Sequence, residues 1–138
     1  MSTLNQILFV CVENAGRSQM AEAFFRELAP KKFQAYSAGT NPSSTINPIV
    51  SEAMKEIGID MSKNVPKILS TKMIDSSFKT VNMGCMDKEA CPALFVKDVL
   101  DWGIEDPKGK PLEQVRKIRD EIENKVKELV EKLENEKL

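Results

Sequence analysis

The sequence predicts an α/β fold: a single domain over residues 1–138, with a four-stranded, parallel, open sheet and helices on both faces. Short apolar runs are typical of strands buried on both faces, as in parallel sheets. Between them lie segments whose apolar residues recur at helical spacing, the alternation expected of parallel crossovers. A chain of 138 residues also suits one domain with a substantial core.

The first predicted elements are a strand, a helix and a second strand. Ile7–Val10 is the apolar strand, and Met20, Phe24 and Leu28 mark the buried face of the helix. Phe33–Ala38 is the second strand, and residues 39–44 have the composition of a turn. A right-handed parallel crossover follows from this order.

The middle of the chain supplies the remaining short elements. They are a helix over Pro48–Ile57, a short helix over Pro66–Met73, strands over Phe78–Met83 and Val99–Trp102, and a turn over Asp106–Gly109.

From Leu112 onward the sequence predicts one long helix. Its apolar stripe consists of Leu112, Val115, Ile118, Ile122, Val126, Leu129 and Leu133. The stripe is expected to face the core, with the charges on a solvated face, although a coiled-coil seam for a partner is an alternative.

Composition limits the classes of function. Net charge is −1, with acidic and basic residues interspersed, so we expect neither nucleic acid nor membrane as a partner. The N-terminus lacks the features of a signal peptide, and three cysteines are too few for a secreted disulfide framework. These observations predict a cytoplasmic protein. We also expect it to be a monomer. No histidine is present, which excludes histidine-dependent triads and disfavours zinc; we expect no metal.

Cys11 ends the first strand, and Arg17 follows after five residues, at the start of the helix. Loop amides at a helix N-terminus bind oxyanions and favour a thiolate, and an arginine adds a planar fork for two anion oxygens. Gly16 and Asn14 suit a tight loop. We therefore predict a cysteine nucleophile in an oxyanion cradle, the alternative being a structural cysteine in an ordinary turn. The predicted cradle comprises Val12, Glu13, Asn14, Ala15, Gly16, Arg17 and Ser18.

Cys85 follows the third predicted strand, at its carboxyl end. Ligands of open α/β sheets bind outside these ends, so Cys11 and Cys85 could face one crevice. The alternative for Cys85 and Cys91 is that both are small buried apolar residues.

Five segments together resemble the low-molecular-weight tyrosine phosphatase fold and, within it, the thioredoxin-coupled arsenate reductases. They are CVENAGRSQMAEAF from Cys11, YSAGT from Tyr36, MGCMDKEACP from Met83, DWGIEDPKG from Asp101 and VRKIRDEI from Val115. They run in the family's order over nearly the whole chain.

The resemblance implies a thiol relay. Cys11 attacks arsenate while Arg17 and the loop amides hold its oxygens, and Ser18 stabilises the thiolate. Asp106, otherwise a turn-forming aspartate, protonates the departing oxygen. Cys85 then attacks the Cys11 adduct, and Cys91 resolves the Cys11–Cys85 disulfide into Cys85–Cys91. Thioredoxin or a similar thiol carrier is the implied reductant, with no other cofactor, and phosphate or sulfate is a competing anion.

Some relatives bind potassium through residues matching Asn14, Glu22 and Ser37 plus an acidic side chain. Here Lys67 stands in place of the acid, so its ammonium could replace the cation. We predict no potassium requirement.

Two rival functions stay open at this point. The first is a phosphotyrosine phosphatase that uses Cys11, Arg17 and Asp106, although Val12, Glu13 and Lys108 offer no aromatic wall for a phenyl ring. Weak hydrolysis of small aryl phosphates is expected in any case. The second is a non-catalytic module that binds an oxyanion or senses oxidation.

Overall fold

The computed structural model describes residues 6–83 and 99–136. In chain order the elements are β1 (Gln6–Cys11), α1 (Arg17–Leu28), β2 (Gln34–Gly39), α2 (Pro48–Lys55), α3 (Thr71–Ser76), β3 (Lys79–Asn82), β4 (Val99–Asp101) and α4 (Leu112–Glu136). The strands form one parallel sheet in the order β2-β1-β3-β4. The predicted fold class is confirmed, and most predicted ends lie within one or two residues of the observed ones.

The strand order creates a switch point beside Cys11. The chain passes from β1 to β2 on one side, then returns to place β3 on the other side of β1. Connections that leave in opposite directions open a crevice at the carboxyl ends of the two neighbouring strands. Cys11 is the last residue of β1, and the N–H of Met83, just after β3, donates to the Val10 carbonyl at 2.9 Å.

Successive side chains of β1 point to opposite faces of the sheet, where they pack into two cores of unequal size. Ile7 and Phe9 face the main core, which is closed by α1, α2 and α4. Leu8 and Val10 face the opposite side, where they pack with Ile74 of α3. Helices therefore cover both faces of the sheet, and this explains why the strand is apolar from Ile7 to Cys11.

The long helix α4 lies against α1 and α2. Its stripe is in the main core: Leu112 is half-buried, and Val115, Ile118, Ile122, Val126, Leu129 and Leu133 are buried. The core-facing interpretation is confirmed, because the residues that would form a coiled-coil seam are already packed inside the molecule. None of the helices in the described parts of the chain is long and apolar enough to cross a membrane.

The predicted helix over Pro66–Met73 is wrong in position, because the observed helix α3 runs over Thr71–Ser76. Pro66 has no N–H and disfavours helical angles in the residue before it. Ser70 fixes the start, since its hydroxyl accepts a hydrogen bond from the Met73 N–H at 3.2 Å. The preceding residues instead bond to the end of β2, where Ile68 forms a parallel bridge with Gly39.

Candidate active site

The loop between β1 and α1 directs its amides toward one side. Four of its carbonyl groups accept hydrogen bonds of 2.8–3.3 Å from backbone N–H groups of residues 40–47: those of Cys11, Val12, Glu13 and Ala15. In a planar trans peptide the following N–H points opposite to the carbonyl. The amides after these carbonyls therefore face away from residues 40–47, toward the pocket described below.

Gly39 allows this arrangement. A Cβ built at Gly39 would lie 2.4 Å from the Val12 carbonyl oxygen, so any side chain would push the loop away from the end of β2. The glycine is thus required for close backbone approach.

The sulfur of Cys11 receives hydrogen bonds from the loop. Cys11 is 2% exposed, and its Sγ accepts from the Asn14 N–H at 3.2 Å and lies 2.9 Å from Ser18 Oγ. The Ser18 oxygen itself accepts from Asn14 Nδ2 at 2.7 Å, which leaves the serine proton available for the sulfur. Both groups therefore stabilise negative charge on Cys11, the form in which a cysteine is a nucleophile.

Asn14 determines the shape of the loop. With φ at 51° it is the only non-glycine residue with positive φ among residues 6–83 and 99–136, and asparagine tolerates this conformation better than most residues. Its Oδ1 accepts from the Lys67 N–H at 2.8 Å and from Gln19 Nε2 at 2.9 Å. Gln19 Oε1 in turn accepts from Asn64 Nδ2 at 3.2 Å. Gln19 and Asn64, which the sequence did not single out, thus support the loop.

Gly16 ends the loop and lies next to Pro107. Its φ is −147°, so the left-handed angle lies at Asn14 rather than at the glycine. A Cβ on Gly16 would instead lie 3.0 Å from Pro107 Cγ. Gly16 therefore lets the segment that contains Asp106 approach the loop.

Arg17 and Asp106 meet at the pocket. Arg17 is 4% exposed, and its Nη1 donates to the Ile104 carbonyl at 3.0 Å. Its Nη2 lies 3.6 Å from Asp106 Oδ2, whose side chain is exposed. The structure thus places an exposed carboxyl group beside the buried arginine at the pocket.

The cavity at the loop has a volume of about 200 Å³. It is lined by Cys11, Val12, Glu13, Ala15, Gly16, Arg17, Asn47, Asp106, Pro107 and Lys108. This is smaller than the roughly 300–1,000 Å³ of pockets for drug-sized ligands, and it suits a small tetrahedral anion. Cys85 and Cys91 lie outside the described residues.

The residues that match the potassium site of some relatives include Glu22, and nearby cationic side chains already compensate its negative charge. Glu22 is buried and accepts from Ser37 Oγ at 2.5 Å. Arg26 lies 2.5 Å and Lys67 Nζ 3.9 Å from its oxygens. Two side-chain cations beside one carboxylate do not fit a further cation.

The sequence is similar to a known protein family and to several of its members. A family model described as low molecular weight phosphotyrosine protein phosphatase matches residues 6–138. A putative arsenate reductase of Halobacterium salinarum is 39% identical over 126 residues, 88% of this chain and 87% of the relative. An arsenate reductase of Staphylococcus aureus is 37% identical over 122 residues, 87% of this chain and 92% of the relative.

Solved structures include both reductases and phosphatases. The YwlE arginine phosphatase of Geobacillus stearothermophilus superposes with a TM-score of 0.84 at 30% identity, covering 96% of this chain and 94% of that one. A thioredoxin-dependent arsenate reductase of Corynebacterium glutamicum has a TM-score of 0.79 at 36% identity, covering 94% of this chain and 62% of that one.

Proposed function

The chain belongs to the low molecular weight phosphotyrosine protein phosphatase family, and from this premise we propose that it is an arsenate reductase. The observation that carries the proposal is 37–39% identity to arsenate reductases over 87–88% of the chain. The cradle of backbone amides with Arg17 supports it, because it suits a small tetrahedral oxyanion.

The first step forms a bond between sulfur and arsenic. The Cys11 thiolate attacks the arsenic of arsenate, whose oxygens are held by the loop amides and Arg17. The departing oxygen takes a proton from Asp106 and leaves as water. The arsenic stays pentavalent in this adduct, so no electrons have yet been transferred.

Reduction follows when a second thiolate attacks the Cys11 sulfur. We assign this attack to Cys85, which follows Met83 by two residues. A sulfur–sulfur bond forms, the sulfur–arsenic bond breaks, and its electron pair stays on arsenic, which leaves as arsenite. Cys91 then displaces Cys11 from Cys85, and an external dithiol protein such as thioredoxin supplies the two electrons that reduce Cys85–Cys91.

A Cys85→Ser variant tests the relay. We expect it to lose arsenate turnover in the presence of thioredoxin and thioredoxin reductase, while a Cys91→Ser variant completes at most one turnover. Mass spectrometry of the wild-type protein after arsenate addition without reductant should show a loss of about two daltons in the peptide that contains both cysteines. Undiminished turnover by Cys85→Ser would contradict the relay.

The second candidate is a phosphatase that uses Cys11, Arg17 and Asp106. The structural similarity to an arginine phosphatase favours it. In that case Cys85→Ser would keep full hydrolysis of phosphate monoesters or phosphoarginine, and the wild type would not turn over arsenate. A module that only binds oxyanions or senses oxidation would show neither activity.

A further inference from the structure

Two segments supply all but one of the residues that line the pocket. One is the loop from Cys11 to Arg17, and the other is the segment from Ile104 to Lys108, which we call the wall segment. At the inner end they are joined by the hydrogen bond from Arg17 to the Ile104 carbonyl. Pro107 of the wall segment is buried beside Gly16.

At the outer end the same two segments are joined by an ion pair. Lys108 Nζ lies 2.8 Å from Glu13 Oε2, and both residues line the pocket. Their side chains are 68% and 37% exposed, so the pair lies at the rim rather than inside. The hydrogen bond to the Glu13 carboxylate raises the pKa of Lys108 above its ordinary value. The Lys108 N–H also donates to Asp106 Oδ1 at 3.0 Å, which fixes the lysine relative to the acid.

We propose that the Glu13–Lys108 ion pair is a clasp that determines substrate size. An inorganic tetrahedral anion fits in the cavity below the closed clasp. An ester carries a substituent that must leave through the mouth, so it binds only when the clasp is open. This inference deepens the proposed function, on which it rests for its substrate, by naming the residues that select arsenate over larger phosphate esters.

The ion pair is weak, and this limits how strongly the clasp can discriminate between small and large anions. Exposed ion pairs contribute little in water, so breaking this one should change the preference between small and large anions by about two- to fivefold. Glu13 and Lys108 also act on anions through their charges. That contribution is similar for two dianions and therefore cancels in a ratio of their dissociation constants.

The test measures that ratio for inorganic phosphate and phenylphosphonate, at a pH at which both are dianions. Each dissociation constant comes from protection of Cys11 against iodoacetamide, quantified on the Cys11 peptide. We expect Glu13→Gln and Lys108→Gln both to shift the ratio toward phenylphosphonate. The charge-reversed double variant Glu13→Lys with Lys108→Glu should return it toward the wild-type value.

A neighbouring ion pair provides the matched control. Lys110 Nζ lies 3.5 Å from Glu105 Oε2, with both side chains similarly exposed, and neither residue lines the pocket. Lys110→Gln should leave the ratio unchanged. An unchanged ratio in both rim variants, or shifts in opposite directions, would overturn the clasp. Because the assay needs no turnover, a shifted ratio in a protein that does not reduce arsenate would overturn the proposed function and not the clasp.

Discussion

At the scale of single residues, Ser18 has a direct effect on the nucleophile. Its hydroxyl lies 2.9 Å from Cys11 Sγ and already accepts a hydrogen bond from Asn14, so its own proton is available to the sulfur. Hydrogen bonds to a charged group are worth about 1.5–3 kcal/mol, more than neutral ones. The serine is therefore placed to stabilise negative charge on the Cys11 sulfur.

Replacing Ser18 with alanine should slow alkylation of Cys11 by iodoacetamide about tenfold or more at neutral pH, since the thiolate loses a charge-assisted hydrogen bond. The rate is measured on the Cys11 peptide by mass spectrometry. Ser77→Ala is the matched control, because this buried serine bonds to Ile74 and Thr80, away from the cradle. If the Ser18→Ala protein were alkylated as fast as the wild type, the prediction would be wrong, and the loop amides alone would suffice to stabilise the Cys11 thiolate.

Residue-scale features were predictable where they are local. Cys11, Asn14 and Ser18 contact one another within seven positions of the chain, so the local pattern and the family resemblance together could place them in one cradle. Gln19 and Asn64 are 45 positions apart, and Glu13 and Lys108 are 95 apart. No local pattern pairs such residues, because their contact depends on how the sheet brings distant loops together.

At the scale of elements, Glu56 joins α2 to α4. It accepts from Arg116 Nε at 3.0 Å and Nη2 at 2.6 Å, and from Arg119 Nη1 at 3.0 Å. The hydrogen bond from Arg116 holds the pKa of Glu56 below its ordinary value of 4.5. A carboxyl whose pKa is lowered on folding stabilises the protein above its unfolded pKa, and this contribution is lost as pH falls through the folded pKa.

We therefore expect Glu56→Gln to lower the melting temperature by about 1–3 °C at pH 7, a small change because the pair is exposed. The difference from the wild type should shrink as the pH falls below the ordinary carboxyl range. Glu123→Gln is the control, since its partner Lys127 lies in the same helix and ties no elements together. A difference that stays constant from pH 7 into the acidic range would contradict this account.

Elements were predictable where the hydrophobic period is long or strong. The stripe of α4 repeats over six turns, and β1 is apolar from Ile7 to Cys11, so the sequence predicts both elements correctly. The position of α3 was missed because a six-residue helix carries too few periods to outweigh its neighbours. The helix begins after Ser70, which caps it. It begins later than predicted because Ile68 is held in a bridge to Gly39, which is a tertiary contact.

At the scale of the whole molecule, Glu22 ties α1 to β2 and to the segment before α3. Its carboxylate binds Ser37, Arg26 and Lys67, and the Lys67 N–H also reaches Asn14 of the cradle. A buried carboxylate that is compensated by side chains leaves little attraction for an added ion.

The protein should therefore show the same arsenate turnover and melting temperature in potassium chloride as in choline chloride at equal ionic strength. Lys67→Gln should lower the melting temperature, because Arg26 is then the one cation of the described segments beside Glu22, and should make the melting temperature more sensitive to potassium. Lys63→Gln, an exposed lysine on the same segment, serves as the control. Wild-type activity that rises steeply with added potassium would refute this prediction.

The hydrogen bonds that hold four loop carbonyls against residues 40–47 affect how the protein discriminates between phosphate and arsenate. An anion receptor whose amides are fixed in advance recognises tetrahedral shape and charge, and these are nearly identical in phosphate and arsenate. An arsenate reductase built on this receptor must distinguish the two by reactivity, since only arsenic is reducible by a dithiol. Its rate of detoxification in a living cell would then depend on how much phosphate the cell contains.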